Sequence, residues 1–135
     1  MRAESVRSLT SASVAFASLF ASVGAFAHHS FSAEFDVGRP VELIGTVTEI
    51  EWTNPHAWIH IETAGEAGNP EHWAVELLGI NSLVRSGLTP ETVKAGDPLT
   101  VTGFGARNGT NTANAASVTR TDTGERLWAI AGSRE

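Results

Sequence analysis

The sequence predicts an all-β domain with one short helix, a small five- or six-stranded barrel laid out like an oligonucleotide/oligosaccharide-binding (OB) fold. Three observations predict it. Runs of alternating apolar and polar residues recur along the chain, the signature of half-buried strands. The first run is long and carries a central glycine, Gly45, where a strand can bend sharply. The single helical stretch falls between the third and fourth runs, its place in that barrel. A plain antiparallel sandwich is the alternative architecture.

The first strand is Val41–Trp52, closed by the turn residues Thr53-Asn54-Pro55. Ala57–Glu62 and His72–Leu77 alternate cleanly, and Ala64–Pro70 between them reads as a hairpin loop. Asn81 is a candidate N-cap for a helix over Ser82–Ser86 that stops at Gly87. Thr89-Pro90 offers a second cap, with proline at the first helical position. Leu99–Phe104, Asn114–Thr121 and Leu127–Ile130 are the remaining strands, and Asn108-Gly109 is the strongest hairpin signal in the chain.

Upstream of these strands the chain changes character. Arg2 and Arg7 precede an apolar stretch, Val14–Gly24, and Ala25-Phe26-Ala27 places small residues where a signal peptidase cuts. The stretch is too short for a spanning helix, which needs about 20 apolar residues. The expected organisation is a signal peptide over 1–27, an N-terminal arm over 28–40 and the barrel over 41–135. The expected product is periplasmic or secreted and has no membrane span. With 27 of the 135 residues removed, 108 remain, enough for one modest core. Phe31 and Phe35 should be buried if the arm docks on the barrel.

The chain has no cysteine, which excludes thiol chemistry and cysteine-based zinc sites. Its net charge is −6, opposite to what a phosphate backbone attracts, so nucleic acid is an unsuitable partner. No serine sits in a Gly-x-Ser-x-Gly elbow, and Gly103-Phe104-Gly105 lacks the lysine and helix of a phosphate loop.

Candidate sites cluster in three places. Cleavage after Ala27 would make His28 the new terminus with His29 beside it. The freed amine, an imidazole and one further imidazole form a nitrogen-rich set that suits Cu(II) or Ni(II). The second place is Trp52-Thr53-Asn54-Pro55-His56-Ala57-Trp58, a turn flanked by two tryptophans, at an edge where such barrels bind. The third is the hairpin face opposite the apolar side chains Ile59, Ile61, Trp73, Val75 and Leu77. It carries Trp58, His60, Glu62, His72 and Glu76, and symmetric pairing would bring His60 and His72 together. His56 and His60 lie about 13 Å apart along an extended strand, so they do not form a helical zinc pair.

His28-His29-Ser30-Phe31 with Glu34-Phe35-Asp36, Trp52–His56, and Gly96-Asp97-Pro98-Leu99-Thr100-Val101-Thr102-Gly103 together resemble an uncharacterised family of small exported bacterial proteins. Leu99 stands where that pattern has valine. The resemblance implies an exported small β domain in the periplasm of a Gram-negative bacterium. It carries no function and no catalytic residue. The function expected is a non-enzymatic binding module. Metal would be held by His28, His29, His60 and His72, copper being the first expectation, and other ligands by Trp52, Asn54, His56, Trp58 and Glu76. The alternatives are a module for a glycan, peptide or partner protein using the tryptophan-rich turn, with a glycan stacking on Trp58, and a small metal-dependent enzyme.

Overall fold

The computed structural model describes residues 30–131. A four-residue helix, α1 (Phe31–Glu34), leads into β1 (Phe35–Glu51), β2 (Trp58–Ala64) and β3 (Pro70–Glu76). The helix α2 (Ile80–Arg85) follows, then β4 (Pro98–Ala106), β5 (Thr112–Arg120) and β6 (Arg126–Ala129). The six strands form one sheet in the order β3-β2-β1-β4-β5-β6. A short parallel pairing of Ala74–Glu76 with Thr112–Asn114 joins β3 to β5 and completes a barrel-like ring of hydrogen bonds. The mostly-β class, the six strands and the helix between the third and fourth of them are as expected, while α1 is a second short helix beyond the one expected. Among the described residues no helix is long and apolar enough to cross a membrane.

Gly45 lets β1 serve two partners. It pairs with Thr63 of β2 on one side and with Leu99 of β4 on the other. A Cβ at this position would lie 2.1 Å from the Glu62 carbonyl oxygen, so only glycine permits the approach. The ladder shifts register between Val47 and Glu49, an irregularity of the kind that bends a strand around a ring. Gly103 performs the same service between β4 and β5, where a Cβ would lie 2.1 Å from the Asn114 carbonyl oxygen.

The alternation of the strands puts Leu43, Val47, Ile59, Ile61, Val75, Leu99, Val101 and Val118 inside the ring. Leu83 of α2, with Leu88 and Val93 just beyond it, joins the same core, and Trp128 of β6 packs against it. With no disulfide available, burial of these side chains is the main stabilising term, at about 1.5–3 kcal/mol for each fully buried large aliphatic.

Several local readings change. Strand β1 begins at Phe35, six residues before the expected start, so residues 35–40 belong to the sheet. Phe35 is buried, whereas Phe31 is 39% exposed and packs on Phe35 and edge-on against Phe104. Arg107 ties this segment down. Its Nε donates to the Ser32 carbonyl at 2.7 Å and its backbone N–H to that of Glu34 at 2.9 Å. The central helix starts at Ile80, with Gly79 rather than Asn81 at its N-cap position. Thr89–Val93 is a single hydrogen-bonded turn rather than a helix, with the Thr92 N–H on the Thr89 carbonyl at 3.0 Å.

Candidate functional site

The β1–β2 turn, residues 52–57, folds back onto the junction between β3 and α2. The Ala57 N–H donates to the Leu78 carbonyl at 3.1 Å and the Leu77 N–H to the Ala57 carbonyl at 2.8 Å. The Thr53 hydroxyl donates to the His56 carbonyl at 2.9 Å, and the Asn54–Pro55 peptide is cis. Gly79 sits directly under the turn, since a Cβ there would be 2.7 Å from the Pro55 carbonyl oxygen.

Each side chain of this motif has a different fate. Trp52 packs against the core. The Asn54 side-chain oxygen accepts the Ile80 N–H at 3.2 Å, so Asn54 supplies a cap to α2 from 26 residues away in sequence. His56 remains partly exposed and places Nδ1 2.7 Å from the Glu76 carboxylate. Glu76 is only 6% exposed and is the buried charged side chain among the described residues. The sequence places it on the open polar face of the hairpin; the folded-back turn covers that end of the face.

The contact orients His56. A carboxylate only accepts hydrogen bonds, so Nδ1 is the donor in this pair and Nε2 is directed away from it. No partner for Nε2 occurs among the described residues. The result is an oriented imidazole backed by a buried anion, the arrangement that commonly supports a metal-bound histidine.

Cross-strand pairing extends the site. Trp58 stands opposite Glu76 on β3, and Glu76 stands opposite Asn114 on β5, so these side chains share one row on the outer face of the ring. Beside that row lies a recess of about 340 Å³ bounded by α1, Trp58 and the β4–β5 loop. Glu34, Arg107, Asn108, Thr110 and Thr112 line it together with Phe35 and Trp58. The sequence reading did not select the first five. The Asn108-Gly109 signal pointed to the last four of these, because it predicts a β4–β5 loop, the partner of the β1–β2 loop in ligand binding by such folds; Glu34, on α1, had no such signal.

The hairpin pairs symmetrically about Ala67, but that register does not set His60 against His72 as expected. His60 stands opposite Ala74, and His72 stands opposite Glu62, so the two imidazoles are diagonal rather than facing. Each has a carboxylate of its own, His60 with Glu51 at 2.6 Å and His72 with Glu62 at 3.6 Å. Among the described residues no group of three or more histidine, cysteine, aspartate or glutamate side chains is arranged to hold a metal ion. His28 and His29 lie outside the described residues.

Fold and site together define a small β domain with a ligand-sized recess beside a partly exposed imidazole held by a buried carboxylate. A family model matches residues 16–115, and the chain belongs to that family, the Family of unknown function DUF6152. No curated protein and no solved structure matches the chain.

Proposed function

We propose that this protein is an exported, non-enzymatic binding module that takes a divalent transition metal, copper first, with His56 as its internal imidazole ligand. The observation that carries the reading is the 2.7 Å contact between His56 Nδ1 and the buried Glu76 carboxylate. It holds the ring in place and directs Nε2 away from the carboxylate. The remaining nitrogen donors are the mature amine with His28 or His29, a set whose chemistry suits Cu(II). His60 and His72 are left out of the set because the carboxylates behind them, Glu51 and Glu62, are exposed, whereas Glu76 is buried.

The test is Cu(II) titration of protein processed to His28, followed by calorimetry and by EPR. Two variants run beside it, one with an extra alanine before His28 and one carrying His56→Gln. Tight binding that weakens strongly in both variants, with nitrogen hyperfine structure lost in each, is the expected result. Binding that is unchanged in both overturns the reading. Binding that depends on the terminus but ignores His56→Gln removes His56 from the site and overturns its assigned role.

A further inference from the structure

We infer that the recess between α1, Trp58 and the β4–β5 loop is a second, metal-independent site that takes one or two units of a neutral saccharide. Its size sets the first limit. About 340 Å³ is at the small end of the range for ligand pockets, room for a sugar ring or two and not for a folded partner. Its walls set the second. Trp58 offers an indole for the C–H face of a pyranose, and Phe35 and Ala106 continue the apolar side. The opposite rim is polar, which disfavours a purely hydrocarbon ligand.

The hydrogen bonds within the rim decide the ligand class. The Asn108 side-chain oxygen already accepts the Thr110 N–H at 3.1 Å and the Thr110 hydroxyl at 2.7 Å. Its amide N–H₂ makes no hydrogen bond among the described residues and keeps two donors for a ligand. The one Thr110 hydroxyl proton is shared between Asn108 at 2.7 Å and Thr112 at 3.2 Å, so the Thr112 hydroxyl is only weakly engaged. Arg107 is committed through Nε to the Ser32 carbonyl and lies 3.8 Å from Asp36, and Glu34 shares the same rim. Opposite charges at one rim cancel, so an anionic ligand gains little, and the net charge of −6 works against it further. Amide donors beside threonine hydroxyls and an aromatic wall match a vicinal diol on a ring, which both accepts and donates and carries an apolar face.

The test is NMR titration of the processed protein with chitotriose, cellotriose and maltotriose in turn, reading the Trp58 indole N–H and the backbone amides of residues 107–112. Titrations run in EDTA, so failure of the copper reading leaves this result untouched. At least one trisaccharide is expected to shift these resonances together with a dissociation constant near the millimolar range. Trp58→Ala should weaken binding about tenfold or more. Thr112→Val, which keeps the side-chain shape, should weaken it about threefold to tenfold. No shift with any of the three sugars overturns the inference. So do shifts that persist unchanged in both variants, or equal displacement by an uncharged blocked tripeptide.

Discussion

Replacing Gly45 by alanine tests the ring by the sign of its effect. Gly45 has no positive φ. If conformational freedom were its whole role, alanine would stabilise the fold by about 0.4–1 kcal/mol through the unfolded chain. The close approach of β1 and β2 predicts the opposite. The new Cβ would sit 2.1 Å from the Glu62 carbonyl oxygen, where contacts under 3.0 Å essentially never occur, so the strands must part by about 0.9 Å. Ladder hydrogen bonds near 2.9 Å would lengthen beyond bonding range. Gly45–Thr63 and Thr46–Glu62 are the pairs affected. Losing two such bonds costs about 2 kcal/mol, and residual crowding adds about 1 kcal/mol. Set against the unfolded-state gain, the net loss is about 2 kcal/mol. Urea unfolding followed by circular dichroism should show a midpoint lower by about 1 M. Gly103→Ala should behave alike, for the same 2.1 Å reason at the Asn114 carbonyl. A Gly45→Ala protein as stable as the parent, or more stable, would refute the argument that backbone proximity holds glycine there.

Other perturbations have equally definite outcomes. Ile59→Ala, at a fully buried position, should cost about 2–5 kcal/mol in the same urea assay. Glu76→Gln should release the His56 ring, so that nitrogen NMR of the neutral ring shows both tautomers where the parent shows the Nδ1–H form, and Cu(II) affinity should fall about tenfold to a hundredfold. Asn54→Ala should destabilise α2, lowering hydrogen-exchange protection in Ile80–Arg85 while β4 and β5 keep theirs; uniform loss of protection would contradict a local capping role. Glu91 is held below the ordinary carboxylate range by the Thr89 hydroxyl first and its own backbone N–H second. The small stabilisation this gives is present above the unfolded pKa and is lost as pH falls through the lowered folded value. Thr89→Ala should return the Glu91 titration, read by carbon NMR, toward its usual position.

The strands were legible because alternation reports burial directly, and Ile59, Ile61 and Val75 are buried as the pattern requires. The bend at Gly45 and the Asn108-Gly109 hairpin were legible because glycine in a strand and Asn-Gly in a loop each have one main structural use. The facing of His60 and His72 was misjudged, because the exact register decides it. That register depends on the link from Gly65 to Asn69, closed by the Gly65 N–H on the Asn69 carbonyl at 2.9 Å with Ala67 left-handed between them. That closure pairs the strands symmetrically about Ala67, which sets His60 opposite Ala74 and leaves it diagonal to His72. The burial of Glu76 was equally hidden, because the chain that covers it arrives from the β1–β2 turn and not from its own strand. Asn54 looked like a ligand-facing residue for a similar reason: its partner, the Ile80 N–H, is set by tertiary folding alone.

The parallel seam between Ala74–Glu76 and Thr112–Asn114 has a consequence for how the molecule comes into being. A chain appears amino end first, whether from a ribosome or a membrane channel. The meander β1–β2–β3 is then complete while the strand that closes β3 is still about 36 residues from emerging. During that interval β3 is a bare edge, able to recruit a strand from another nascent copy. The charged and polar side chains Glu71, His72 and Glu76 along it discourage such pairing. Crowded synthesis is therefore where this protein is most exposed to misassembly, and β5 is the strand whose arrival ends the risk.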